Sequence, residues 1–495
     1  MDFLKKHKVL LFFAFSVLIL VLLRIPSLFE PHWYDDEGIY SGVANQMSYG
    51  AELYSGAWDN KPPFMYLLFL SLINTGKTLF LTRALSLLFA IGTIAVVYKI
   101  LQKVSIGKIK YLALLVCAIL LGIPQMENNI ANAENFFILF TTIGIYFALN
   151  RKFWLTALVY SIAITMKAQP FFEFISLLPI ILIFFYNAKE QTKTIFLKLG
   201  KLFSIFLFPT VLIFGIFLVF GNFTEYLDSA LLSNFKYVDE GSEAVKLLIF
   251  ENSILLRIFI LGIVLLIIYF LYWKKKINFT SAIIFTWFAG SLFGAALSSR
   301  GYPHYLLQAI PSFLVLIGYS ISGKLISLRT FRNIAILGVV TILVIFSFVQ
   351  GKQNDKLLEY NKYYQLGYGY LFGNVSRTEW SDFFNPRLKF MYDTARYIDS
   401  VTDSGTVVYF IDHNGWFYEL SNTKSASRYV AYYHIWHTEN RTEKAFKDIE
   451  DSKPEYIVFN RKETWIFQDL WKYIENNYER DSFGNERYEV FVRKE

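Results

Sequence analysis

At 495 residues, 55% of them hydrophobic, and with a mean hydropathy of +0.38, the chain is too apolar for an ordinary soluble protein. Its formal charge of +8 does not mark a nucleic-acid binder, because the basic residues do not gather in a soluble region. The single cysteine, Cys117, lies in an apolar run, which excludes an intramolecular disulfide.

Residues 9–29 follow the basic MDFLKKHK start and precede RIPSLFEP, with no small-residue cleavage site, so they read as an uncleaved first span. Further runs near the roughly 20 apolar residues that cross a bilayer fall at 80–101, 109–124, 130–149, 153–168, 169–186, 202–221, 254–273, 277–297, 303–322 and 333–350. The count is about 11 transmembrane helices. Residues 62–76 are too short and broken to cross and read as an interfacial helix. With the N-terminus in the cytoplasm, the inner loops carry 19 basic residues and two acids, the bias the positive-inside rule requires. This orientation predicts a multi-pass protein of a bacterial-type plasma membrane with an extracytoplasmic C-terminus. The outer loop 222–253 alternates apolar and acidic residues and reads as a surface helix with a flexible link, a candidate gate.

Residues 352–495 carry 20 basic and 23 acidic residues and no spanning run, so they read as a soluble domain. Residues 352–390 read as a Tyr- and Gly-rich linker or interfacial layer. Beyond them, helix-like RLKFMYDTARYIDSV, EKAFKDIED and WIFQDLWKYIENNY alternate with strand-like TVVYFI, PEYIVFN and YEVFVRK, which predicts a small α/β domain. His413, His434 and His437 lie among aromatics and read as structural. The expected division is therefore 1–351 for the membrane part, with a first external loop at 30–79, and 352–495 for the soluble domain. The soluble domain is expected to govern acceptor access, and cutting near Lys352 is expected to leave a membrane part that still binds donor.

The most unusual stretch is HWYDDEGIYSGVANQMSYGAELYSGAWDNKPP, residues 32–63, with five acids and one lysine between apolar segments. Convergent carboxylates at a membrane edge suit chemistry on the polar end of a lipid-borne substrate. Asp-Glu-Gly-x-Tyr followed by Trp-Asp-Asn-Lys-Pro-Pro resembles the first external loop of the C-type glycosyltransferases that use polyprenyl-phosphate sugars, which include protein O-mannosyltransferases and aminoarabinose transferases. The resemblance implies an α-helical polytopic membrane fold and an inverting transfer of a monosaccharide from a polyprenyl-phosphate donor to a lipid, glycan or protein acceptor. It implies that Asp36 is the base, that Glu37 supports it and that Lys61 meets the lipid phosphate, with Asp59 beside it. Asp35 is an adjacent acid that competes for the role of base.

Three shorter segments carry partial likeness. Glu134, in Asn-Ala-Glu-Asn, orients the lysine or binds sugar, or is a helix-start carboxylate. Lys167, in Met-Lys-Ala-Gln-Pro, reaches the phosphate or snorkels. Arg300, Tyr302 and His304, in Arg-Gly-Tyr-Pro-His-Tyr, resemble the family's Arg/His segment near the donor, and Arg300 suits a bidentate phosphate contact. Arg83 and Glu173 read as helix-packing residues and Arg24 as a snorkelling arginine. Asp36 and Glu37 could hold Mg²⁺ or Mn²⁺, but some members of this fold work without a metal, so that point stays open. The main alternative function is a transporter or flippase of lipid-linked sugars, which would place polar residues at the midplane of repeated halves.

Overall fold

A computed structural model describes residues 2–234, 253–297, 302–322, 359–436, 439–463 and 466–494. Among these, seven helices are long and apolar enough to cross a membrane: Leu10–Phe29, Thr78–Val104, Pro170–Asn187, Thr192–Phe220, Ile254–Trp273, Phe279–Ala296 and Pro303–Ile321. Three expected spans are shorter helices, Ile109–Leu120, Ala133–Leu149 and Phe153–Ile164. At 1.5 Å per residue, 12 residues extend about 18 Å, well short of a roughly 30 Å hydrocarbon core. The expected span at 333–350 lies outside the described residues, as does most of the candidate gate.

The chain forms two compact units. The first comprises Met1–Ile25, Arg83–Ile216 and Asn234–Asn361, and it holds most of the apolar helices. Its helices approach closely where side chains are small. Gly144, on Ala133–Leu149, lets Tyr160 approach so near that a β-carbon there would stand 2.5 Å from the ring. Thr156 Oγ1 donates to the Gly144 carbonyl at 3.1 Å across the same contact. Arg24 does not snorkel: it is fully buried, and its Nη2 donates to Ser86 Oγ at 2.9 Å. A buried guanidinium needs such partners, because desolvation of an unpaired charge is costly. Glu173 is a packing residue as expected, accepting from Tyr160 at 2.9 Å and from Gln308 at 2.5 Å.

The second unit comprises Pro26–Thr82, Phe217–Ser233 and Lys362–Glu495. The expected division at residue 351 follows chain order, whereas compactness groups residues 26–82 with the C-terminal residues. Within this unit a five-stranded sheet has the order β2-β1-β3-β5-β4, formed by β1 (Val407–Ile411), β2 (Lys424–Ser425), β3 (Tyr456–Asn460), β4 (Tyr478–Gly484) and β5 (Tyr488–Arg493). The first three strands are parallel, and β5 runs antiparallel between β3 and β4. Helices Leu388–Val401, Glu439–Ser452 and Gln468–Asn477 alternate with the strands, as expected of a small α/β domain. The stretch expected as a linker contains two helices, Tyr360–Leu371 and Arg377–Phe384; Trp380 is buried between Tyr363 and Phe384.

The N-terminal loop is part of this unit's core. Trp58 is buried with Tyr409, Ile411, Tyr429, Ile457 and Leu470, and its N–H donates to the Arg428 carbonyl at 2.8 Å. Helix Asp35–Ser48 packs on the segment after β1 through Gly38 and Gly42. A β-carbon on Gly38 would lie 2.9 Å from Asn414 Oδ1, and one on Gly42 would lie 3.1 Å from the Gly415 carbonyl. Hydrogen bonds reinforce the contact: Asn45 Nδ2 donates to the Thr423 carbonyl at 2.7 Å, Gln46 Nε2 to that of Ser425 at 3.0 Å, and Ser41 to Glu419. Each joins residues more than 370 positions apart.

Candidate active site

Helix Asp35–Ser48 opens with the three acids in its first turn, where the helix dipole favours negative charge. Their surroundings differ. Glu37 is fully buried, Asp36 is half-buried and Asp35 reaches solvent. The protein packed around Asp35, then the negative charges of Asp412 and Asp36, push its carboxyl up to about 7, while Arg487 pulls it down. Asp412 directly follows β1 and is itself tightly held. It accepts from the His413 N–H at 2.7 Å, the Tyr488 hydroxyl at 2.6 Å and Arg487 Nη2 at 3.1 Å.

The Trp-Asp-Asn-Lys-Pro-Pro motif forms the second part. Asp59 is buried; its Oδ1 accepts from the Asn60 N–H at 2.7 Å and its Oδ2 lies 3.5 Å from Lys61 Nζ. Two buried tyrosines fix the backbone of Lys61. The Tyr54 hydroxyl donates to its carbonyl at 2.8 Å, and its N–H donates to the Tyr66 hydroxyl at 3.0 Å. Its ammonium lies 4.9 Å from the Tyr40 ring centre, a cation–π distance.

His434 joins the two parts. Its Nε2 lies 3.9 Å from Asp59 Oδ1 and its ring meets Trp58 edge-on at 4.9 Å. Burial pushes its pKa down to about 4; Asp59 and Asp36 oppose that shift, while Arg441 and Lys61 add to it. The ring is therefore neutral at pH 7. That Asp36, Asp59 and Lys61 all act on one imidazole places the acidic turn and the lysine motif in a single electrostatic neighbourhood. His434, expected as structural, stands beside the expected site residue Asp59. His437 lies outside the described residues, and His413 pairs with Glu463 at 3.6 Å.

The other expected residues fall in the first unit. Asn132 caps helix Ala133–Leu149 by accepting from the Ala133 N–H at 2.9 Å, which sets Glu134 in the first turn. Glu134 is buried and paired with Lys167, whose ammonium lies 4.6 Å from the Tyr305 ring centre. His304 is buried with its Nδ1 2.5 Å from Glu127 Oε2, and Tyr302 stacks on its ring at 5.6 Å. Glu127 holds a left-handed backbone (φ 51°), an uncommon conformation for a non-glycine residue. Arg300 lies outside the described residues. Among the described residues no three His, Cys, Asp or Glu side chains are disposed to hold a metal ion.

Sequence reasoning did not single out Asp412, Arg487 or Arg441, or the contact of His434 with Asp59. The one signal available was Asp-His-Asn-Gly (412–415) directly after a predicted strand, a polar turn at a carboxyl end where α/β domains commonly place ligands.

These features define a multi-pass membrane protein with a C-terminal α/β domain, as the sequence predicts, and its fold is that of ArnT, an aminoarabinose transferase. The structure of ArnT from Cupriavidus metallidurans bound to undecaprenyl phosphate matches with a TM-score of 0.54 and 15% identity, over 98% of each chain. The same protein in its apo state matches with a TM-score of 0.48 and 14% identity, over 99% of this chain and 98% of that one. Residues 391–494 match the family model of the putative competence-induced protein Ccs4 C-terminal domain. No curated protein matches the sequence.

Proposed function

We propose that the protein is an inverting glycosyltransferase that moves a monosaccharide from a polyprenyl-phosphate donor to an extracytoplasmic lipid, glycan or protein acceptor. The observation that carries this reading is the acidic first turn with Asp36 in the same unit as Lys61, whose ammonium lies 3.5 Å from the buried Asp59 beside His434. It pairs a carboxylate able to take a proton with a cation able to meet a phosphate. The ArnT fold adds support, since that protein was solved with undecaprenyl phosphate bound.

In this reading Asp36 accepts the proton of the acceptor hydroxyl as its oxygen attacks the anomeric carbon from the face opposite the phosphate. The bond from anomeric carbon to phosphate oxygen breaks, and the polyprenyl phosphate leaves with the electron pair. Lys61 stabilises the charge building on that phosphate, and Asp59 holds Lys61 in place. Glu37 supports the turn from its buried position, and Asp35 is the neighbouring acid. Glu134, Lys167, Arg300, Tyr302 and His304 are assigned to donor binding. No step is routed through a metal. The charge bias of the loops supports a site on the extracytoplasmic face.

The test is reconstitution in proteoliposomes with a radiolabelled polyprenyl-phosphate sugar and candidate acceptors. Label transferred to an acceptor, and lost in Asp36→Asn, supports the enzyme. Label that crosses the bilayer still attached to its lipid, with no transfer, refutes it in favour of a flippase.

A further inference from the structure

We propose that Arg441 is a second cation of the phosphate site, acting beside Lys61 on the phosphate of the lipid-linked donor. This rests on the reading of Lys61 above and adds a residue from the other end of the chain. Arg441 stands in the first turn of helix Glu439–Ser452, and its guanidinium lies 4.2 Å from the ring centre of Trp58. Trp58 is the residue before Asp59 and three before Lys61. One guanidinium nitrogen, Nη1, donates to the His434 carbonyl at 3.1 Å, the same residue whose ring faces Asp59.

Two features separate Arg441 from an ordinary structural arginine. The first is the rigidity of its seat. Trp58 is in the hydrophobic core and is tied by its backbone to Arg428 and Tyr429, so the guanidinium rests on a fixed platform. A face stacked on a ring leaves the in-plane N–H edge free for hydrogen bonding, and only one of its five donors is used by the His434 carbonyl. The second feature is its lack of a counter-charge. Arg428 holds Asp448 through Nε at 2.9 Å and Nη2 at 2.8 Å, and Arg487 holds Asp412 at 3.1 Å. Arg441, half-buried in the same unit, pairs with no carboxylate among the described residues. A half-buried arginine without an acid suits an anionic group, and its planar fork matches phosphate.

The test uses the full chain in detergent, with farnesyl phosphate, farnesol and inorganic phosphate as probes. Arg441→Gln is expected to weaken farnesyl phosphate binding about tenfold or more, as expected for losing one charged hydrogen bond, and to leave farnesol binding unchanged. Arg441→Lys should recover only part, because it keeps the charge and loses the fork. In the wild-type protein, farnesyl phosphate should shield Arg441 from phenylglyoxal, read by peptide mass spectrometry, and farnesol should not. Unchanged labelling of Arg441 overturns the proposal whatever the variants' folding. Wild-type affinity in Arg441→Gln with weakened binding in Lys61→Ala overturns it too, and leaves the reading of Lys61 standing. A wild-type protein that does not distinguish farnesyl phosphate from farnesol sinks that reading and this proposal together. Equal shielding by inorganic phosphate at the same concentration overturns the assignment to a lipid headgroup.

Discussion

Trp58→Ala tests whether the acidic loop is held by the C-terminal domain. Trp58 is 5% exposed and packs in the same core as β1 and β3, which lie about 350 and about 400 residues away in sequence. Removing a buried tryptophan costs about 3–5 kcal/mol through lost burial and the cavity left behind. Loss of the Arg441 contact adds about 0.5–1 kcal/mol. A domain stable by about 5–15 kcal/mol would lose a large share of that margin. Taking only the lower figure, the population of opened β1 and β3 rises by roughly two orders of magnitude. Amide hydrogen exchange of the detergent-purified full chain, followed in peptides covering 407–411 and 456–460, reads this directly. Trp436→Ala is the control, since Trp436 is 37% exposed and its loss should change exchange in those peptides little. Unchanged protection of both strands in Trp58→Ala would refute the shared core.

Three further outcomes are expected. Asp36→Asn should lower transfer by roughly 10²–10⁴ with donor binding kept, measured as single-turnover rate and donor affinity; full activity there together with a dead Asp35→Asn would move the base one residue. Asp35, held at about 7 in the folded chain against an ordinary value near 4, binds its proton more tightly folded than unfolded. Stability must then fall as pH rises from about 4 to about 7, and Asp35→Asn should lift Tm over the wild type by an amount that grows across that window and levels off above it; a constant difference would contradict the shift. Contrary to the expectation from sequence, a chain cut near Lys352 should lose donor binding, measured by equilibrium titration with a polyprenyl phosphate, because the loop loses the core that seats Trp58; wild-type affinity in the cut protein would show that the membrane part supports the loop alone.

Much of this architecture was legible because hydropathy and periodicity are local signals. The long apolar helices, the α/β alternation after residue 387 and the dense motifs of residues 32–63 all announce themselves within short windows. The errors have physical causes. Leu121–Gly122 and Thr165–Lys167 extend apolar runs but form turns, so the expected spans at 109–124 and 153–168 end early as helices. Strand β4 is missed because its alternate residues face solvent and the segment reads as polar. Strand β2 has two residues, too few for any pattern. The contacts of His434 and Arg441 were unreadable for a different reason. Nothing in the local sequence of either announces Asp59 or Trp58, and only the fold brings them there.

The grouping of residues 26–82 with 362–495 also bears on why the loop contains what it does. A helix opening with three acids and a buried Asp59 beside Lys61 cannot be stabilised by its own sequence, because buried charge needs partners. Here the partners come from the C-terminal end: Glu419 for Ser41, Thr423 and Ser425 for the amides of Asn45 and Gln46, and His434 beside Asp59. Gly38 and Gly42 make this possible, since any side chain at Gly38 would strike Asn414 and Trp416 and hold the helix away. Contacts spanning some 370 residues carry a large loop-closure cost and form late. A loop seated this way is coupled to the core of its unit, so a change in the sheet core, remote from Asp36 in sequence, reaches the acidic turn through these contacts.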